Sequence, residues 1–141
     1  MNSSLTQDVS DVLVRYATGI DRRDWALFRT CFTEDCDADY GDIGRWHGAD
    51  AITAWMDEAH QRWGATMHRI TNQAVSGEGD RATSRSYVDA LLISPDGRTG
   101  TRAVGYYDDN LVRTDESWKI AWRQFVLVSF RREPGLTDGA P

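Results

Sequence analysis

The chain has 141 residues, with 16 basic against 22 acidic side chains, a net charge of -6, and 40% hydrophobic and 27% charged residues. That length suits one domain with a core large enough to have a pocket cut into it. The acidic balance argues against phosphate-backbone binding, which needs a concentrated basic surface, so no nucleic acid is expected as a partner. No window has the uninterrupted apolar run of a signal peptide or a membrane span, so no membrane is expected either and the expected location is cytoplasmic.

Val9, Val12, Leu13, Tyr16, Ala17 and Ile20 recur at helical intervals and form one apolar stripe on a helix of about four turns. Ser4 or Thr6 is placed to cap its start and Gly19 lies near its end. Asp21-Arg22-Arg23-Asp24 is a polar corner, with Arg22-Arg23 read as a solvated face and Asp24 as the cap of a short second helix carrying Trp25, Phe28 and Cys31. Cys31 and Cys36 are too few for a disulfide framework and have no second pair to complete a zinc site, so free thiols are expected, with Cys31 in the core. Asp37 to Tyr40 reads as a short strand, and Gly41 to Gly48 as a hairpin or loop. A third helix is expected from about Asp50, with Ile52, Trp55, Met56, Ala59 and Trp63 on or near one face.

From Thr66 onward the pattern changes to strands separated by turns: Thr66 to Ser76, Arg81 to Ile93, Thr99 to Arg113 and Trp118 to Phe130. Hairpin-linked strands imply a mainly antiparallel sheet, and their length implies curvature. Helices first and sheet afterwards is the order of an α+β domain. A single domain is expected over residues 1–131, with a flexible tail over 132–141.

Several local sequences resemble the SnoaL-like members of the nuclear transport factor 2-like superfamily. They are Tyr16-Ala17-Thr18-Gly19-Ile20-Asp21, Asp24-Trp25-Ala26-Leu27-Phe28, Trp46-His47-Gly48, Met67-His68-Arg69-Ile70-Thr71-Asn72, Gly79-Asp80-Arg81-Ala82 and Ser117-Trp118-Lys119-Ile120. The resemblance runs from about Thr6 to Phe130. It implies a cone-shaped α+β barrel, in which a curved, mainly antiparallel sheet wraps around the N-terminal helices and leaves a deep pocket. Members of the superfamily include polyketide cyclases, scytalone dehydratase, bile acid dehydratase, hexachlorocyclohexane dehydrochlorinase, limonene epoxide hydrolase and the small subunit of ring-hydroxylating dioxygenases, so the fold alone does not settle function.

In one subgroup an aspartate after the first helix and a histidine in the strand after the third act as a dyad, and these positions match Asp21 and His68. Tyr16 matches a tyrosine of the bile acid dehydratase type, and Asp89 falls near a further acidic position of that type. Which face Asp89 occupies depends on register, since a slip of one residue reverses every side chain of a strand. No arginine with paired aspartates, as in an epoxide hydrolase, and no second strand histidine, as in scytalone dehydratase, is found.

The residue chemistry is consistent with that match. Histidine titrates near neutrality, and an aspartate bonded to one imidazole nitrogen orients the ring and stabilises the imidazolium formed when the other nitrogen takes a proton. A tyrosine hydroxyl such as that of Tyr16 can donate to an oxygen on which negative charge develops. Tyr40, Trp46 and Tyr87 are candidate pocket walls, and Asn72 shares the face of His68 if the strand is regular. His47 and His60 read as loop and helix-surface residues, and no metal or other cofactor is expected. The expected function is dehydration or cyclisation of a hydrophobic small molecule. The alternatives are a non-catalytic ligand-binding or dimerisation domain and an oxygenase small subunit. The resemblance also implies a homodimer paired through the outer sheet face, with which the bulky Trp122, Phe125 and Phe130 are compatible.

Overall fold

The first helix, α1, spans Ser3–Asp21 and buries every residue of the predicted stripe. The computed structural model describes residues 3–115 and 117–133. Asp24 caps the short α2 (Trp25–Arg29) by accepting from the Leu27 backbone N–H, and Phe28 and Cys31 are fully buried beyond it. The strand expected from Asp37 starts earlier, as β1 (Phe32–Asp39), because Phe32, Cys36 and Ala38 bury between polar neighbours. The next residues form a 3-10 turn (Gly41–Ile43) and a three-residue strand, β2 (Arg45–His47). Helix α3 (Ala49–His60) starts at Gly48, whose φ of 94° suits a residue without a Cβ, and it stops short of Trp63.

Four long strands follow: β3 (Thr66–Glu78), β4 (Arg81–Ile93), β5 (Gly100–Thr114) and β6 (Ser117–Glu133). The sheet order is β2-β1-β6-β5-β4-β3, antiparallel except for the parallel pair of β1 and β6. It is the expected curved, mainly antiparallel sheet with the N-terminal helices against it, and it is open, with β2 and β3 at its edges and α1 packed against β3. Inward positions such as Ala82, Val88, Ala90, Tyr107 and Ile120 meet the helices in one core. The outer face carries Arg85 paired with Asp108, and Asp89 paired with Arg69 and Arg102.

Two expectations about the last strand change. Arg132 and Glu133 belong to β6 rather than to a tail, and 134–141 lie outside the described residues. Phe125 is buried facing Tyr107, whereas Trp122 is half-exposed and Phe130 borders the cavity described below, so these three do not form one outer patch. Regular pairing from Trp122 to Leu127 puts Trp122 and Phe125, three residues apart, on opposite faces, and the shift at Val104/Gly105 brings Phe130 to the cavity side with Phe125. No described helix is long and apolar enough to cross a membrane.

Candidate active site

The last turn of α1 and the first residues of β3 meet at Asp21. Gly19 permits this corner, because a Cβ there would lie 2.9 Å from the Phe28 backbone where α2 crosses. Arg23 turns the chain with a left-handed φ of 55°. Its guanidinium donates to the carbonyls of Ile20 (2.8 Å) and Gly64 (2.6 Å) and to Thr66 Oγ1 (2.8 Å). Arg23 is therefore a staple between α1 and β3 and not part of a solvated charge run.

Asp21 accepts three hydrogen bonds. Oδ1 takes the Thr66 hydroxyl at 3.0 Å and His68 Nδ1 at 2.7 Å, while Oδ2 takes the His68 backbone N–H at 2.9 Å. Burial by itself raises the Asp21 carboxyl, but the bonds from the His68 ring and backbone and from Thr66 outweigh it and hold the group below the usual carboxylate range. An ionised Asp21 requires the proton on His68 Nδ1, which leaves Nε2 to exchange one.

His68 lies on the wall of a cavity of about 370 Å³ bounded by α3 and the inner face of the sheet. Trp55, Val88, Ala90, Leu92 and Phe125 give it an apolar lining. Its polar wall comes from His60, His68 and the phenols of Tyr16, Tyr40 and Tyr107. Ile43, Arg62, Leu127 and Phe130 line it and are also exposed, which places them at its mouth. Apolar walls with a few convergent polar groups are the usual form of a small-molecule site.

The three phenols form a cluster. Tyr16 and Tyr40 share a hydrogen bond of 2.8 Å, and Tyr107 donates to Tyr16 at 3.4 Å. Burial raises all three above the ordinary phenol value, so they remain protonated donors. Beneath them Arg123 is fully buried and bonds Asp109 through Nε at 2.7 Å and Nη2 at 2.9 Å. These two residues are direct cross-strand partners. The guanidinium carbon lies 3.8 Å from the Tyr107 ring centre and 4.4 Å from that of Tyr16. Burial opposes the charge on Arg123, but the Asp109 carboxylate and the surrounding rings keep it in place.

The fold thus gathers Asp21, His68, Tyr16 and Tyr40. The other predicted site residues lie elsewhere. Trp46 stands behind the wall, with ring centroids 5.3 Å from Tyr40 and 4.6 Å from Trp55. Asn72 is exposed because β3 bulges between Thr71 and Ala74, where Asn72 adopts a φ of 52° and leaves the face of His68. Tyr87 and Asp89 point outward, since β4 alternates regularly and buries Val88 and Ala90 instead. Asp89 serves the outer ion pairs, and its carboxyl is lowered mainly by Arg102.

His60, expected on a helix surface, is 7% exposed and borders the cavity. Residue spacing does not single out Tyr107, the inward-facing Phe125 or the Asp109–Arg123 pair either. Among the described residues Arg123 bonds one carboxylate, that of Asp109. Inward alternation is the available signal: it is regular on β5 for Tyr107 and Asp109, and register shifts obscure it on β6. His47 is on β2, exposed and bonded to Asp37 at 2.8 Å. Among the described residues no three His, Cys, Asp or Glu side chains cluster as metal ligands.

A model of the SnoaL-like domain matches residues 3–124. The chain belongs to the SnoaL-like family. An uncharacterized protein of Mycobacterium tuberculosis H37Rv, Rv2910c, is 29% identical over 118 residues, covering 82% of this chain and 80% of its own. Among solved structures, a proposed scytalone dehydratase from Novosphingobium aromaticivorans DSM 12444 superposes with a TM-score of 0.85 at 20% identity, over 99% of this chain and 97% of that one. A hexachlorocyclohexane dehydrochlorinase (LinA, type 2) does so with a TM-score of 0.82 at 18% identity, over 94% and 95%. At these identities the likeness is one of fold. This SnoaL-like chain shares the arrangement of helices and sheet of those two structures.

Proposed function

We propose that this SnoaL-like protein is a cofactor-independent lyase or isomerase that abstracts a proton from a hydrophobic, polycyclic or aromatic small molecule. The observation that carries the reading is the 2.7 Å contact between Asp21 and His68 Nδ1 at the wall of an apolar cavity. His68 Nε2 takes a proton from carbon, and Asp21 stabilises the imidazolium that results. In a dehydration the C–H electron pair becomes the new double bond, and the leaving hydroxyl departs as water with the proton returned by His68. In a cyclisation the same electron pair attacks a carbonyl carbon, and the developing alkoxide is met by a phenol of the Tyr16–Tyr40 pair. Fold neighbours named as a dehydratase and a dehydrochlorinase support an elimination.

The test works for any product. A panel of apolar carbon acids and hydroxylated ring compounds is incubated in deuterated water, and deuterium incorporation or elimination is followed by NMR. The wild type is expected to accelerate exchange or loss of water, and His68→Ala to lower the rate by roughly a hundredfold to ten-thousandfold while keeping its melting temperature. An unchanged rate in His68→Ala would overturn the assignment. Saturable binding without chemical change in the wild type favours the ligand-binding alternative, for which the apolar lining is the supporting observation.

A further inference from the structure

Thr66 stands between the Asp21–His68 pair and the arginine at the corner that leads into it. Its hydroxyl oxygen lies 2.8 Å from Arg23 Nη1 and 3.0 Å from Asp21 Oδ1. A guanidinium only donates and an ionised carboxylate only accepts, so the oxygen takes the Arg23 hydrogen and the single hydroxyl hydrogen goes to Asp21. The direction of the chain from Arg23 through Thr66 to Asp21 is thereby fixed.

Both ends of Arg23 are anchored. Nη1 also donates to the Ile20 carbonyl at 2.8 Å and Nη2 to that of Gly64 at 2.6 Å, one in the last turn of α1 and the other just before β3. Thr66 is 7% exposed and pairs with Leu92 on β4, while His68 pairs with Ala90. Two residues apart on a regular stretch of strand, Thr66 and His68 turn to the same face.

The terminal torsion of an aspartate is broad, so its two oxygens are told apart only by what they touch. Oδ2 is held by the His68 backbone N–H, whereas Oδ1 is shared by His68 Nδ1 and the Thr66 hydroxyl. Among the described residues, Thr66 is therefore the contact of Oδ1 that does not turn with the imidazole.

We propose that Thr66 is a positioning residue whose hydroxyl, aimed by Arg23, holds Asp21 Oδ1 against His68 Nδ1 and so keeps the imidazole in the tautomer that leaves Nε2 free to take a proton. This role rests on the dyad reading for what Nε2 then does, and on the three hydrogen bonds for the rest. Thr66 keeps its hydrogen throughout.

The test records the ¹⁵N shifts of the His68 ring on the full chain without ligand, at mildly alkaline pH, where an ordinary imidazole is neutral. In the wild type Nδ1 is expected far upfield, as a protonated nitrogen, and Nε2 far downfield. Thr66→Val keeps the shape and removes the hydroxyl. It is expected to draw the two shifts together as tautomers mix, and to speed exchange of the Nδ1 hydrogen with water about tenfold, the size of one net hydrogen bond. Thr66→Ser is expected to restore both. With a substrate from the exchange panel, Thr66→Val is expected to lower kcat by about tenfold to a hundredfold at unchanged KM.

A wild-type ring without the wide separation, a Thr66→Val spectrum that keeps it, or a serine variant that behaves like the valine one would each overturn the assignment. So would mixed tautomers with a wild-type kcat in a protein that His68→Ala disables. A lower melting temperature of Thr66→Val with an unmoved spectrum makes Thr66 structural only. The spectra involve no turnover, and a failed dyad shows instead as an unchanged rate in His68→Ala, so the two readings fail separately.

Discussion

Asp21 holds His68 at two points, with Oδ1 on the ring Nδ1 at 2.7 Å and Oδ2 on the backbone N–H at 2.9 Å. The second contact sets the height of β3 against the end of α1, and the first sets the rotation of the ring. One carboxylate therefore fixes both the position and the tautomer of the proposed base.

Asp21→Asn is expected to keep the fold and lower turnover by roughly a hundredfold to ten-thousandfold, because a carboxamide no longer stabilises an imidazolium. Rates set beside the ¹⁵N shifts of the His68 ring check this. A wild-type rate together with an unchanged tautomer would remove Asp21 from the mechanism.

His60 makes stability depend on pH. Its ring titrates at about 4 in the fold against 6.5 when exposed, so the unfolded chain takes up the proton first as pH falls. The associated stability is fully present above 6.5 and is lost as the pH drops toward 4, amounting to about 3 kcal/mol. Denaturant melts from pH 7 to 4 are expected to show a flatter profile for His60→Gln than for wild type. Asp21, whose carboxyl is lowered, loses its contribution only at more acidic pH, below the ordinary carboxylate value.

The Asp109–Arg123 pair is 0% exposed on both sides. Removing one member strands the other charge, so Asp109→Ala is expected to cost about 3–5 kcal/mol in urea melts. The double replacement Asp109→Leu with Arg123→Met strands no charge and is expected to cost less than the single change. A double variant as unstable as Asp109→Ala would show that the loss comes from packing around the tyrosines.

Gly19→Ala places a methyl group 2.9 Å from the Phe28 backbone. Overpacking of this kind is expected to cost about 1–3 kcal/mol and to displace the end of α1 that carries Asp21. Melting temperature and turnover should fall together. A lower melting temperature with an unchanged rate would mean that the corner relaxes without moving the carboxylate.

The sequence by itself determined the order of elements, the buried stripe of α1, the Asp24 cap and the resemblance that brought Asp21 and His68 together. Helical spacing, capping and turn chemistry are local, so they can be read along a single chain. Tertiary structure decided which strand residues face the cavity. The bulge at Asn72 removes that residue from the face of His68, and the register of β4 sends Tyr87 and Asp89 outward. An extra residue in β6 at Ala121 turns Arg123 and Phe125 inward to meet Tyr107 and Asp109, which alternate regularly on β5. His60 shows the same limit on a helix. Its position reads as a polar end, and only the packing of Trp25 and His68 around it makes it a buried acceptor. Facing is a relation between strands and helices, and a single bulge reverses it without any mark in composition or periodicity.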